Sequence, residues 1–162
     1  DLEKVAMLKE QTKAINAYFA ARNLPLEGTG AKFAKEADKY RLDYRLMPAI
    51  AMVETTGGKF ACPGAYKRTG DEGYTNNAFG WGSCTISFKS KDHAIEVIAR
   101  NLSGNNPNTA RHYNGKGTKP ILETYNPPSV KPGYAAKVMS VMNAIGKEDI
   151  GLTLKATTPT NT

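Results

Sequence analysis

The sequence predicts a mainly α-helical fold of the α+β kind, with helices around one buried central helix beside a small irregular or β-containing lobe. Apolar residues recur at helical spacing through most of the chain. Residues 46–56 are apolar on nearly every face, whereas residues 59–88 lack helical periodicity. We expect a single domain over residues 1–150, followed by a Thr- and Pro-containing tail or linker over 151–162.

The helices are predicted in chain order from apolar spacing and stop signals. An amphipathic helix over 2–23, packed on the rest of the domain, ends before Pro25, and a second runs from about residue 30 to 40. The apolar third helix covers 46–56 and stops at Gly57-Gly58. Ser90 caps a fourth helix, and a last helix covers 134–145. Residues 84–88 are read as a short strand and residues 103–120 as loop.

The charge of the chain favours an anionic partner. The 162 residues carry a formal charge of +7, and residues 59–139 hold eleven basic against five acidic side chains. Nucleic acid, an acidic membrane surface and an acidic polymer all fit such a balance, and solubility alone is the alternative. No helix has the dense Lys and Arg face usual in nucleic-acid binding, and no apolar run is long enough for a transmembrane segment.

Cys62 and Cys84 are the two cysteines of the chain. With two histidines that lack ligand spacing, they are too few for a structural zinc site, so we predict neither a metal nor a cofactor. The segment between the cysteines is rich in Gly, Tyr, Thr and Asn, so it needs a covalent link to hold it in place. This favours a disulfide over two buried free thiols.

Glu54 is the single ionisable residue of the apolar third helix, and it lies in the last turn. The negative end of the helix dipole and the apolar neighbours Ile50 and Ala51 both disfavour a charged carboxylate there. A carboxyl group that keeps its proton near neutral pH is what a general acid requires. The alternative is a solvated Glu54 or a pair with Lys59, but the double glycine that follows allows close approach of a ligand.

Four short motifs follow one another along the chain. They are Leu-Asp-Tyr-Arg-Leu-Met-Pro-Ala-Ile-Ala-Met-Val-Glu-Thr-Thr-Gly-Gly-Lys at 42–59, Asn-Asn-Ala-Phe-Gly-Trp-Gly at 76–82, Glu-Thr-Tyr-Asn-Pro-Pro at 123–128 and Tyr-Ala-Ala-Lys-Val at 134–138. In this order they resemble the lysozyme-like superfamily, in particular bacterial lytic transglycosylases and endo-β-N-acetylglucosaminidases of the autolysin and flagellar-muramidase type. The chain departs from that pattern at Thr55, where Ser is usual, and at Pro127 and Pro128, where Ala-Gly is usual.

The resemblance implies a glycosidase that cleaves the β-1,4 backbone of peptidoglycan. Glu54 would be the general acid that protonates the leaving glycosidic oxygen. Tyr125 would help to orient that carboxyl group or the N-acetyl group of the substrate. The implied substrate-binding residues, which would line the groove, are Asn77, Phe79, Trp81 and Asn126. For Phe79, packing in the core is the alternative.

Glycosidases ordinarily use a second carboxylate, for which the sequence offers two candidates. Asp71 and Glu72 lie in a glycine-flanked turn of the predicted disulfide loop, where a merely solvated turn is the alternative. If one of them reaches across the groove, inverting hydrolysis is possible. If neither does, the substrate's own hydroxyl would act as the internal nucleophile, as in the transglycosylases.

The implied partner is peptidoglycan or a related β-1,4 N-acetylated glycan, bound by a monomer that is secreted or held in the cell envelope. The positive charge then falls on the same stretch as the implied groove wall, facing an anionic polymer. The alternative function is a non-catalytic glycan-binding domain of the same fold. Which of the two glycosidic bonds is cleaved stays open.

Overall fold

The computed structural model describes residues 1–62 and 75–147, and these ranges are mainly helical, as predicted. The described residues form seven α-helices and no strand, so they show no β-containing lobe. A short 3₁₀ segment covers Trp81–Cys84. The helices are α1 (Leu2–Ala21), α2 (Gly30–Tyr40), α3 (Leu46–Thr55), α4 (Lys91–Leu102), α5 (Ala110–Tyr113), α6 (Thr118–Tyr125) and α7 (Tyr134–Ala144). The predicted tail over 151–162 lies outside the described residues.

α3 is the buried centre of the molecule, as its apolar sequence predicts. Leu46, Met47 and Ile50 are fully buried, and α4 and α7 pack against the helix. Pro48 is accommodated because it lies in the first turn, where a backbone N–H has no partner in the helix. Burial of each large apolar side chain contributes about 1.5–3 kcal/mol.

α1 and α2 form a pair that packs onto α4. The second half of α1 buries Ile15 and Phe19, whereas Leu2 near its start is 87% exposed. The Asn16 side-chain carbonyl accepts a hydrogen bond from the Gly30 amide at 2.8 Å. A Cβ atom on Gly30 would lie 2.4 Å from a backbone oxygen of α1, so the close start of α2 against α1 requires glycine there.

Two predictions about the irregular parts of the chain are wrong. Residues 84–88 form the end of the 3₁₀ segment and an irregular stretch, in which Phe88 donates one backbone hydrogen bond to Thr75. Residues 103–120 contain α5 and the start of α6. Pro120 favours loop in the sequence, but it lies in the first turn of α6, where proline leaves no helical hydrogen bond unmade.

Candidate active site

A cleft of about 450 Å³ opens beside the C-terminal end of α3. Residues of α3, α5 and α6 line it together with the segment 80–84, which we call the wall segment. Glu54 is the one carboxylate among the described lining residues, and no described lining residue is cationic. The lining consists of Glu54, Gly80, Trp81, Gly82, Ser83, Tyr113, Tyr125 and Asn126.

The end of α3 is fixed by Thr55, the residue that follows Glu54. The Thr55 hydroxyl donates to the Ala78 carbonyl at 2.6 Å and accepts from the Gly58 amide at 3.0 Å. Thr56 then takes a left-handed conformation (φ 53°), which ends the helix. These contacts hold the last turn of α3, with Glu54, against the chain that leads into the wall segment.

Asn77 holds the backbone of the wall segment in place through hydrogen bonds. Its side chain is fully buried, and its amide nitrogen donates to the carbonyls of Trp81 (2.9 Å) and Ile86 (3.0 Å). Its amide oxygen accepts from the Trp81 backbone N–H at 3.1 Å. The structure thus corrects the implied contact of Asn77 with substrate, because all of these groups belong to the protein's own backbone.

The wall segment has an unusual backbone. Gly80 and Gly82 have positive φ, and so do Ser83 (φ 53°) and Cys84 (φ 62°). A left-handed conformation costs a residue other than glycine about 1–2 kcal/mol. Contacts from outside the segment must therefore hold it in this shape.

One of those contacts is the Cys62–Cys84 disulfide, which the sequence predicted and the structure confirms. The two Sγ atoms are 2.15 Å apart and the Cα atoms 5.2 Å apart. Cys62 lies shortly after α3, and its backbone N–H donates to the Asn77 carbonyl at 3.2 Å. The disulfide therefore links the chain that leaves α3 to the end of the wall segment.

Aromatic rings form one side of the cleft. Trp81 is half-buried, and its ring lies 6.5 Å from Tyr113 and 5.7 Å from Tyr125, measured between ring centroids. Tyr125 in turn stacks on Tyr134 at 6.3 Å with nearly parallel planes. The cleft thus combines one carboxyl group with a continuous aromatic surface.

The tyrosine hydroxyls are held in their neutral form. Tyr125 is partly exposed as a whole, but its hydroxyl is deeply buried and donates to the Phe79 carbonyl. Burial raises the pKa of Tyr125 well above its usual value, with smaller effects from Tyr134 and Glu54. Burial raises the pKa of Tyr113 to about 12. All of these hydroxyls therefore keep their protons near neutral pH.

Tyr134 is the aromatic residue most closely associated with Glu54. Burial raises the pKa of Tyr134, and the neighbouring Glu54 carboxyl raises it further. The hydroxyl nevertheless makes no well-formed hydrogen bond with any group in the described part of the chain. Tyr134 thus places a buried, neutral donor next to Glu54.

The structure brings together only part of the residue set implied by the sequence. Glu54, Trp81, Tyr125 and Asn126 meet at the cleft. Phe79 is 1% exposed and packs in the core against Phe33, so the core-packing alternative is correct for it. Asp71 and Glu72 lie outside the described residues.

Sequence reasoning missed Tyr113 and Gly80 as parts of the site. Tyr113 falls in the stretch interpreted as loop, and its aromatic ring beside Asn114-Gly115 is the one signal that could have marked it. At Gly80 the backbone lies close to the Glu54 side chain, since a Cβ atom added there would lie 3.1 Å from Glu54 Oε2. Nothing in a single sequence distinguishes such a glycine from an ordinary turn glycine.

Within residues 1–62 and 75–147, no group of three or more His, Cys, Asp or Glu side chains could hold a metal ion. In the same ranges, no helix has the length and apolar character needed to cross a membrane. No family model, curated protein or solved structure matches the chain. Function must therefore be inferred from the cleft together with the sequence motifs.

Proposed function

We propose that the protein is a lysozyme-like glycosidase that cleaves the β-1,4 glycan backbone of peptidoglycan, with Glu54 as the general acid. The observation that carries the proposal is the place of Glu54, the one carboxylate among the described lining residues of an aromatic-walled cleft. The motif around Glu54 supports the same role. A positioned general acid typically contributes a factor of about 10²–10⁴ in rate.

Glu54 would donate its proton to the glycosidic oxygen as the bond from that oxygen to the anomeric carbon breaks. The carboxylate left behind would then be available as the base that accepts a proton from the attacking hydroxyl group. No cationic side chain is present among the described lining residues, so none of them forms an ion pair that competes with the glycosidic oxygen for the Glu54 carboxyl. The buried, neutral Tyr134 hydroxyl beside Glu54 is a donor for the carboxylate formed in this step.

The remaining lining residues would hold the glycan. Trp81 presents a ring surface on which the apolar face of a sugar ring can pack, and the largely buried Tyr113 supports it from one side. The Asn126 amide can pair with an N-acetyl group of the substrate. Because the Tyr125 hydroxyl is buried and donates to the Phe79 carbonyl, Tyr125 would fix the position of the wall segment and offer the exposed part of its ring to the cleft.

The fate of the broken bond depends on the second reacting group. Asp71 and Glu72 remain the candidates for a base that activates water. Without them, a hydroxyl of the substrate would give its proton to the Glu54 carboxylate, attack the anomeric carbon and form a 1,6-anhydro sugar. Mass spectrometry of the products distinguishes these routes, since anhydro ends arise only by internal attack and free reducing ends only by hydrolysis.

The central experiment compares Glu54→Gln with Glu27→Gln on purified peptidoglycan. Glu27 is exposed and lies outside the described cleft lining, so it controls for removal of a carboxylate elsewhere. We expect at least about a 10²-fold loss of released fragments for Glu54→Gln and no loss for Glu27→Gln. An active Glu54→Gln variant would contradict the proposed role.

The alternative is a glycan-binding domain without turnover, and the same material tests it. A catalytic domain predicts that Glu54→Gln still cosediments with peptidoglycan while releasing nothing. A wild-type protein that cosediments but releases neither anhydro nor reducing fragments would establish the alternative. The disulfide fits a secreted or cell-envelope location, where oxidising conditions maintain such bonds and where the substrate lies.

A further inference from the structure

A second cleft, of about 430 Å³, lies between α2 and α4. It shares no lining residue with the cleft at Glu54. Four of its described lining residues are cationic and two are carboxylates, which gives these side chains a net charge of +2. The six are Lys32, Lys35, Lys39, Arg100, Glu36 and Glu96.

Glu36 gives this cleft an unusual polar floor. Its side chain is only 4% exposed, and Oε1 pairs with Lys32 Nζ at 3.1 Å. Its second oxygen, Oε2, has no hydrogen-bond partner in the described part of the chain, and neither does the buried Nδ1 of His93 in the same cleft. A buried acceptor without a partner is costly, so a ligand that donates a hydrogen bond there would be favoured.

The cationic side chains of the cleft differ in whether a carboxylate already pairs with them. Lys32 is already bridged to Glu36 and, at 2.5 Å, to Glu96. Lys35, Lys39 and Arg100 are exposed at the rim, and none of them has a carboxylate within salt-bridge distance among the described residues. Lys39 Nζ also lies 5.1 Å from the centre of the Tyr40 ring. The cleft thus offers positive charge at its rim that no described carboxylate neutralises, and an acceptor without a partner at its floor.

We propose that this cleft binds a phosphate carried on a hydroxylated chain, that is, a sugar or polyol phosphate. A phosphate monoester carries a charge of about −1.5 to −2 near neutral pH, which matches the net charge of the cleft. Arg100 supplies a planar donor pair and the lysines supply point charges for the phosphate oxygens. A hydroxyl of the attached chain donates to Glu36 Oε2.

Calorimetric titration with glucose 6-phosphate tests the proposal, with glucose and inorganic phosphate as matched ligands. We expect glucose 6-phosphate to bind at least tenfold more tightly than either. The double variant Lys39→Gln, Arg100→Gln should weaken this binding at least tenfold, whereas Lys137→Gln, an exposed lysine on α7, should not change it. Absence of binding, or equal binding by wild type and double variant, would overturn the proposal.

Glu36→Gln tests the floor of the cleft separately from its rim. Loss of the carboxylate should remove most of the preference for glucose 6-phosphate over inorganic phosphate. If that preference is unchanged in a folded Glu36→Gln protein, the hydroxyl contact is wrong. Should Glu36→Gln fail to fold, the exposed rim variants still decide the proposal. Glu54→Gln must bind glucose 6-phosphate like the wild type, so this site and the proposed glycosidase activity fail independently.

A free sugar phosphate and a polyol-phosphate polymer of a bacterial wall both carry an anionic phosphate next to hydroxyl groups, although each phosphodiester of the polymer has only one negative charge. Cosedimentation with walls before and after extraction of such polymers distinguishes the two sources. If the site recognises the polymer, the Lys39→Gln, Arg100→Gln variant should bind intact walls more weakly than the wild type does. The variant and the wild type should bind equally well to walls from which the polymer has been extracted. Wall binding that is independent of these side chains assigns the site to a free sugar phosphate.

Discussion

Gly80 holds a left-handed backbone conformation (φ +64°) directly beside the candidate general acid. An added Cβ atom would lie 3.1 Å from Glu54 Oε2, which is tighter than an ordinary van der Waals contact. Two separate costs would follow from a larger residue: backbone strain and displacement of the carboxyl group. A control glycine that shares only the first cost allows them to be separated.

Gly28 is that control, because its φ is +86° and a Cβ atom there would meet nothing within 4 Å. We expect Gly80→Ala and Gly28→Ala each to lower the free energy of unfolding by about 1–2 kcal/mol through strain. Only Gly80→Ala should also reduce glycan cleavage, by at least tenfold. Urea unfolding and fragment release measure the two effects, and equal activity of the variants would show that Gly80 does not position Glu54.

At single residues, the sequence predicted the carboxyl group that lines the cleft better than its surroundings. Glu54 stood out because an ionisable residue in an apolar helix has few structural explanations. Asn77 could not be assigned, because an amide in a glycine-rich segment can bind a ligand or cap backbone groups equally well. The structure shows that it does the latter.

The wall segment has a backbone conformation that its own residues do not favour. Ser83 and Cys84 have left-handed backbone conformations, and the segment is held by Asn77 and by the disulfide to Cys62. Closing a loop of this length stabilises the fold by about 3 kcal/mol in the chain-entropy model. Reduction should therefore lower stability and also loosen one side of the cleft.

Trp81, the single tryptophan of the chain, lies in the wall segment and reports on it directly. On reduction we expect lower Trp81 fluorescence anisotropy under native conditions and a fall in unfolding free energy of about 3 kcal/mol. The Cys62→Ser, Cys84→Ser variant should show both changes without reductant and no response to it. If the anisotropy of the folded protein is unchanged, the disulfide stabilises the fold but does not hold the wall.

Among the elements, the long amphipathic and apolar helices were predictable, as were the Ser90 cap and the stop after α3. The Ser90 hydroxyl accepts from the His93 amide at 3.0 Å, and Thr56 ends α3 next to the predicted glycine pair. α5 and α6 were missed because one has four residues and the other carries Pro120 in its first turn. Short helices depend on tertiary packing, which local sequence patterns do not record.

Charge belongs to the scale of the whole molecule, and its distribution over the two described clefts differs from its distribution along the sequence. Residues 59–139 hold eleven basic and five acidic side chains and so most of the net charge of +7, yet no described lining residue of the Glu54 cleft is cationic. Residues 1–58 are nearly balanced, but α2 places three lysines on the second cleft. Helical spacing gathers those lysines on one face, and helix packing brings Arg100 to them.

The tyrosines around the Glu54 cleft couple the stability of the whole molecule to alkaline pH. Burial raises the pKa values of Tyr113, Tyr125 and Tyr134 above 10 in the folded protein, whereas in the unfolded chain they ionise near pH 10. Above that pH the unfolded state binds fewer protons than the folded state. Stability should therefore be unaffected by these groups below about pH 9 and fall as pH rises further.

Each of these tyrosines contributes a slope of up to about 1.4 kcal/mol per pH unit above pH 10. Urea unfolding followed by circular dichroism from pH 8 to 11 measures the fall, and tyrosinate absorbance reports ionisation. Tyr134→Phe removes one ionising group and should make the stability curve less steep above pH 10. A Tyr134→Phe curve parallel to that of the wild type would show that the Tyr134 hydroxyl ionises as readily in the fold as in the unfolded chain. The raised pKa of Tyr134 in the folded protein would then be wrong.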